Sequence, residues 1–227
     1  KGIADVFAQI ENPGAWIALY SVQSDPEYRK FLWEAVETLR PRLDAVDPGI
    51  FRVDGFIFIS APPSVTPFHI DRENNFWLQL RGRKTINVWD PADRQVISEK
   101  AIEAFIVQGD LSEVQLREGL EARSFECDMG PGDGVYMPST SAHMTRTTRD
   151  WVKPGEGVSI SMGLVFYTAS TRRAANIRVL NLFLRQRGLN PTPPGESGWR
   201  DAIKYPLAWF FVRARRLLRG YQLRQGM

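Results

Sequence analysis

Short alternating runs of apolar and polar positions fill the middle of the chain, and helical spacing governs its two ends. Between Phe51 and Ser60 the chain is dense in β-branched and aromatic residues, the composition of a pleated strand. Pro62 and Pro63 break that run. Strand-like segments follow at Thr66–Ile70, Asn75–Leu80 and Lys84–Trp89, the last two separated by a turn around Gly82. A polar stretch from Asp93 to Arg123 reads as partly helical and interrupts the β pattern. Strand character returns at Ser124–Asp128, Gly134–Met137 and Gly157–Tyr167, where Val158, Ile160, Met162, Leu164 and Phe166 alternate with Ser159, Ser161 and others.

Near the N-terminus, Ser24 or Asp25 is placed to cap a helix and Pro26 suits its first turn. Tyr28, Phe31, Leu32, Ala35, Val36 and Leu39 share one face, and Pro41 is expected to end the helix. Beyond Thr171 the period is again helical. Arg172 to Arg187 forms one helix with Gly188 as its stop. Asn190–Gly198 is a Pro/Gly-rich linker. A last helix carries an apolar stripe of Leu207, Phe210, Phe211, Ala214, Leu217 and Leu218, flanked by Arg213, Arg215, Arg216 and Arg219. The pattern predicts a mainly β protein, a sandwich or jelly roll, with flanking N-terminal and C-terminal helices. Residues 1–170 form the β domain with its N-terminal helix, and 171–227 form a helical extension that packs or dimerises.

Composition narrows the class. The 227 residues are 43% hydrophobic and 24% charged, as in soluble globular proteins. The apolar run Tyr205–Val212 is too short to span a bilayer. No basic, apolar, small-residue leader opens the chain at Lys1. The single cysteine, Cys127, excludes an intrachain disulfide, and its neighbours Glu126 and Asp128 discourage a thiolate. A reducing, cytoplasmic setting is the expectation.

The net charge of +3 is unevenly spread. From Thr171 to Met227 there are 12 Lys and Arg against only Glu196 and Asp201, whereas the rest holds 17 basic and 24 acidic residues. Such a tail docks on its own domain or a second copy of it, or meets anionic lipid or an acidic partner. Peripheral membrane contact through the last helix and a homodimer are both compatible with it. Nucleic acid is disfavoured, because no recognised binding module accompanies the charge.

The chemistry rests on two histidines, either of which alone would ordinarily be a satisfied side chain. His69-Ile70-Asp71 is an H-x-D pair at a strand, and residues two apart in an extended chain project to the same side. An imidazole and a carboxylate therefore converge on one ion. His143 lies beyond a turn, Gly130-Pro131-Gly132-Asp133, and a strand that ends at Pro138. It completes a face of two histidines and one carboxylate that leaves three coordination positions open.

Val65-Thr66-Pro67-Phe68-His69-Ile70-Asp71, continuing from Asn75 to Lys84, resembles the core motif of the JmjC-type and cupin-like 2-oxoglutarate oxygenases. It is particularly similar to the branch that hydroxylates asparagine in hypoxia-inducible factor. The likeness runs from Phe51 to Tyr167 and is best between Val65 and Pro91. It implies a double-stranded β-helix, Fe(II) on His69, Asp71 and His143, and 2-oxoglutarate and O2 as co-substrates. Lys84 and Thr66 would hold the distal carboxylate of 2-oxoglutarate, and Asn75 would reach it near the metal. A buried dicarboxylate needs both charge and hydrogen bonds. Other branches use an arginine well after the second histidine. Here Arg146 and Arg149 are too near and Gly157–Tyr167 has none, which favours Lys84. On the last barrel strand the relative has an asparagine where this chain offers Val158, Ser159 or Ser161.

The implied reaction hydroxylates a C–H bond, or demethylates where the carbon is an N-methyl group. The expected substrate is a peptide or protein side chain, with a small molecule as the alternative. Two rivals remain: a metal-binding cupin with other chemistry, and a binding or scaffold protein working through its basic helices. Trp77, Trp89, Phe56, Phe58 and Tyr136 line either the core or the pocket. The Asp93–Arg123 segment is either a lid or a surface excursion.

Overall fold

The computed structural model describes residues 5, 8–10, 12, 14–152 and 157–219. Nine strands form two antiparallel sheets: β1 (Trp16–Leu19), β2 (Phe51–Ser60), β3 (Ser64–Ile70), β4 (Asn74–Arg81), β5 (Lys84–Val88), β6 (Phe125–Met129), β7 (Gly134–Met137), β8 (Ala142–Thr147) and β9 (Ser159–Tyr167). The larger sheet has the order β1-β2-β9-β4-β7 and the smaller β3-β8-β5-β6. From β2 to β5, and again from β6 to β9, successive strands alternate between the sheets, the winding of a jelly roll. Trp77, Met137 and Val135 from the larger sheet meet Ile86, Val88 and Met129 from the smaller to fill part of the space between them.

The outer face of each sheet is covered by helix. Helix α1 (Pro26–Leu43) is capped by Asp25, whose carboxylate accepts from the Glu27 and Tyr28 N–H groups. Its Leu32 and Val36 pack on Val53, Met162, Leu164 and Phe166 of the larger sheet. The helix approaches β2 so closely that a Cβ on Gly55 would lie 2.7 Å from Leu32 Cδ1, so this position requires glycine. Pro41 does not end the helix at once: it removes only the N–H that would bond the Glu37 carbonyl, and the helix continues two residues further, to Leu43.

The Asp93–Arg123 segment contains α2 (Glu99–Gln108), whose Ala101, Ile102 and Phe105 join Val96, Ile97, Trp89, Ile70 and Ala142 in one core cluster. It therefore backs the outer side of the strands that carry His69 and His143. Helix α3 (Ala169–Arg185) lies on α2, tied by Arg178 to Glu99 and by Arg185 to Glu103. Helix α4 (Gly198–Arg219) packs in turn on α3.

The apolar stripe expected on α4 is only partly the buried one. Ala208 and Val212, with Phe211, face α3, whereas Leu207 and Phe210 are exposed. The side chains of Arg215, Arg216, Leu217, Leu218 and Arg219 lie outside the described residues. Two strands have no counterpart in the sequence pattern, β1 and, more consequentially, β8.

Candidate metal centre

His69 and His143 face each other across the β3–β8 ladder, as a directly paired cross-strand couple. Thr66 pairs with Thr145 in the same ladder, so β3 advances three residues while β8 advances two. This bulge puts Thr66 and His69 on one face of the sheet, although residues three apart in a regular strand face opposite ways. Ile86 pairs with Thr145 and Val88 with His143, so two interior rows run across the smaller sheet. One row holds Thr66, Thr145 and Ile86; the other holds His69, His143 and Val88.

Asp71 stands just past the end of β3, and its backbone is fastened to the turn preceding β8. The Thr140 N–H donates to the Asp71 carbonyl at 2.9 Å, and Ser139 Oγ donates to the Arg72 carbonyl at 2.8 Å. Thr140 holds a left-handed backbone, φ +67°, a conformation that a β-branched residue adopts only under constraint. The constraint falls on the turn that sets Asp71 against His143.

The three side chains converge. One donor atom from each of His69, Asp71 and His143 lies within 4.8 Å of the others. His143 Nε2 is 3.5 Å from Asp71 Oδ2, and the two imidazole centroids are 4.2 Å apart. His69 Nδ1 lies 2.7 Å from the Pro67 carbonyl oxygen, and His143 Nδ1 lies 3.0 Å from that of Ser141. A carbonyl oxygen only accepts, so each Nδ1 carries the proton and donates. Each Nε2 lone pair is thereby directed at the common point, as in histidine metal sites generally. Burial, followed by the nearby His69, lowers the pKa of His143 and outweighs the opposing pull of Asp71, so the ring is neutral and fit to ligate.

The remaining expected residues occupy the same interior. Lys84 is only 4% exposed, and its ammonium lies 5.7 Å from the centroid of the Trp77 ring. Burial alone lowers its pKa to about 8. Asn75 is 5% exposed and its Oδ1 has no hydrogen-bond partner. Gly163 lies beside it on β9: a Cβ there would stand 3.3 Å from Asn75 Oδ1 and 3.7 Å from the Phe58 ring, so glycine keeps this space open. Among the described residues the cation has no counter-ion and the amide oxygen no donor, the two features expected of residues that take a polar ligand.

Ser159 and Ser161, possible substitutes for the relative's asparagine, are both tied to one neighbouring side chain. Gln79 engages both: its Nε2 donates to Ser159 Oγ at 2.8 Å and its Oε1 accepts from Ser161 Oγ at 2.9 Å. Sequence reasoning had no signal for this fully buried network beyond a glutamine among apolar strand residues. Thr145 was also passed over, although the Thr–x–Thr alternation after His143 marks it as an interior residue of a strand.

Among the aromatic residues, Trp77 and Trp89 are core. Phe56 and Phe58 are half-buried, and Tyr136 lies on the outer face of the larger sheet, with its ring centroid 5.0 Å from that of Phe76. A separate cavity of about 370 Å³ is lined by Arg83, Lys84, Asp128, Arg146, Asp150 and Trp151 among others, and includes none of the three ligands. Its arginines are already paired, Arg83 with Asp128 and Arg146 with Glu126.

A family model described as a cupin-like domain matches residues 11–172. No curated protein matches the sequence. Among solved structures, the ribosomal oxygenase YcfD from Escherichia coli is 15% identical over 87% of this chain and 46% of its own, with a TM-score of 0.39. A cupin superfamily protein from Desulfitobacterium hafniense is 12% identical over 68% of this chain and 79% of its own, with a TM-score of 0.34. The DMSP lyase DddQ from Ruegeria pomeroyi is 16% identical over 50% and 37%, with a TM-score of 0.30. The chain thus spans less than half the length of the oxygenase and of the lyase.

Proposed function

The chain belongs to the cupin-like domain family, and from that premise we propose that it is an Fe(II)- and 2-oxoglutarate-dependent oxygenase. The observation that carries the proposal is a His-Asp-His face together with a buried lysine that, among the described residues, has no carboxylate paired with it. The finer kinship with the asparaginyl hydroxylases, and a peptide or protein side chain as substrate, belong to the same proposal.

The donor set fits ferrous iron: two imidazoles and one carboxylate leave positions for a chelating co-substrate and oxygen. His69, Asp71 and His143 would hold the ion. When bound, iron and 2-oxoglutarate supply the oxidising chemistry that hydroxylates a C–H bond, or removes an N-methyl group, with succinate and CO2 as co-products. The protein's own residues orient and desolvate. The carbonyls of Pro67 and Ser141 fix both imidazole tautomers. Lys84 would receive the distal carboxylate of 2-oxoglutarate, with Thr66 as a hydroxyl donor. Asn75 would turn its amide toward the co-substrate across the space beside Gly163. Trp77, Met137 and Val88 exclude water around these groups.

The test is anaerobic addition of Fe(II) and 2-oxoglutarate to the apo protein, watching for the weak visible charge-transfer band of a chelated complex. The band is expected in the wild type, weakened in Lys84→Ala and absent in His143→Ala. Metal binding without a band would instead place the chain with the cupins that do other chemistry.

A further inference from the structure

Helix α4 is apolar on two opposite faces, and among the described residues only one of them is covered. Val212 and Phe211 pack against Val179 and Leu182 of α3, with the Phe183 and Phe211 rings 4.6 Å apart. On the other side Trp199, Ile203, Leu207 and Phe210 are 66%, 55%, 57% and 67% exposed. Their spacing places them on one face of the helix, with Trp209 at its edge. The aromatic contacts they make are with their own helix: Trp209 against Phe210, Arg213 over Trp209 and Arg200 over Trp199. Single exposed apolar residues are ordinary, but two tryptophans, a phenylalanine, a leucine and an isoleucine on one face mark a contact surface.

Charge identifies what covers it. Arg200, Lys204, Arg213, Arg215, Arg216 and Arg219 stand in the helix sequence against Asp201 alone. Asp201 is buried and accepts the Gly195 N–H at 2.7 Å, away from the exposed face. A second copy meeting this face across a twofold axis would bring Arg200 and Arg213 up to the same arginines of the other copy, a like-charge contact. The face is also a convex helix surface rather than a groove into which a partner helix could settle. Aromatic rings bordered by arginines suit the boundary between lipid headgroups and acyl chains. Among the described residues no helix is long and apolar enough to cross a membrane.

We propose that α4 is an interfacial helix that seats its Trp199–Ile203–Leu207–Phe210 face in the headgroup region of an anionic bilayer. This inference does not depend on the oxygenase reading.

The test is co-sedimentation of the full chain with phosphatidylcholine vesicles, with and without phosphatidylglycerol, alongside sedimentation velocity without lipid. Anionic vesicles are expected to bind about tenfold more tightly or better than neutral ones, and added salt should weaken the difference. Phe210→Glu and Ile203→Glu should each reduce binding about tenfold while leaving the melting temperature and Fe(II) binding unchanged. Failure to bind anionic vesicles would overturn the proposal. So would binding indifferent to Phe210→Glu, or a concentration-dependent dimer that the same substitutions dissolve.

Discussion

Lys84 lies in the interior beside an indole, with burial as the one cause of its displaced pKa of about 8. In the unfolded chain the same lysine titrates near its ordinary 10.5. Between those values the unfolded chain keeps a proton that the folded chain has released, so the stability of the ligand-free protein rises with pH across that window. At neutral pH the buried ammonium opposes folding. Lys84→Met, which keeps the volume and removes the charge, should therefore stabilise the ligand-free protein by roughly 1–3 kcal/mol in urea titrations. The same variant should lose the thermal stabilisation that 2-oxoglutarate gives the wild type. Calorimetric affinity for 2-oxoglutarate should hold below pH 8 and decline above it as the ammonium is lost. A flat profile through that pH would place the distal carboxylate on another residue. The grouping of His69 with Asp71 and the buried place of Lys84 were legible in the sequence because few side chains offer an imidazole, a carboxylate or an ammonium at such spacings. The Gln79–Ser159–Ser161 network was not, because hydrogen bonds between strands far apart in sequence leave no local pattern.

At the scale of elements, what the sequence revealed depended on whether an element's two faces differ. Strands β2 and β9 carry dense β-branched and aromatic residues and were placed almost residue for residue. Strand β8 escaped because its interior positions, His143, Thr145 and Thr147, are as polar as its exterior Arg146, so hydrophobic alternation has nothing to contrast. Its interior is polar because it carries the candidate ligand His143 and the threonines beside it. Strand β1 is only four residues long and pairs with β2 alone. The last helix was misjudged for the opposite reason: both of its faces are apolar, so periodicity could not say which is buried. Helices α2 and α3 are joined by a contact that composition does not announce. Glu103 is fully buried and receives Arg185 through Nε at 2.8 Å and Nη2 at 3.2 Å. Arg185→Met leaves that carboxylate without its counter-charge in a dry interface and should lower stability by about 3–5 kcal/mol. Glu103→Gln, which keeps a hydrogen-bonding group there, should cost less. Chemical denaturation of the two variants distinguishes this from a simple loss of packing.

At the scale of the whole molecule, the helices cover the outer faces of the two sheets and leave the interior between them for the site. Helix α1 lies on the larger sheet; α2, backed by α3, lies on the smaller. The candidate ligands come from strands remote in sequence and adjacent in space, His69 from β3 and His143 from β8. An ion held by both would act as a removable cross-link closing the long loop of chain between them. In the chain-entropy description a permanent bond closing a loop of this length restrains the unfolded chain by an amount on the order of 4 kcal/mol. Redox-inert Zn(II), added in place of iron, should accordingly slow hydrogen exchange in β3 and β8 more than in β1. Equal protection of all three strands would mean that the ion stabilises the fold without pinning this ladder. The same pair of residues that opens coordination positions to a substrate would thus also clasp the smaller sheet, so that loss of the ion loosens the strands that must recapture it.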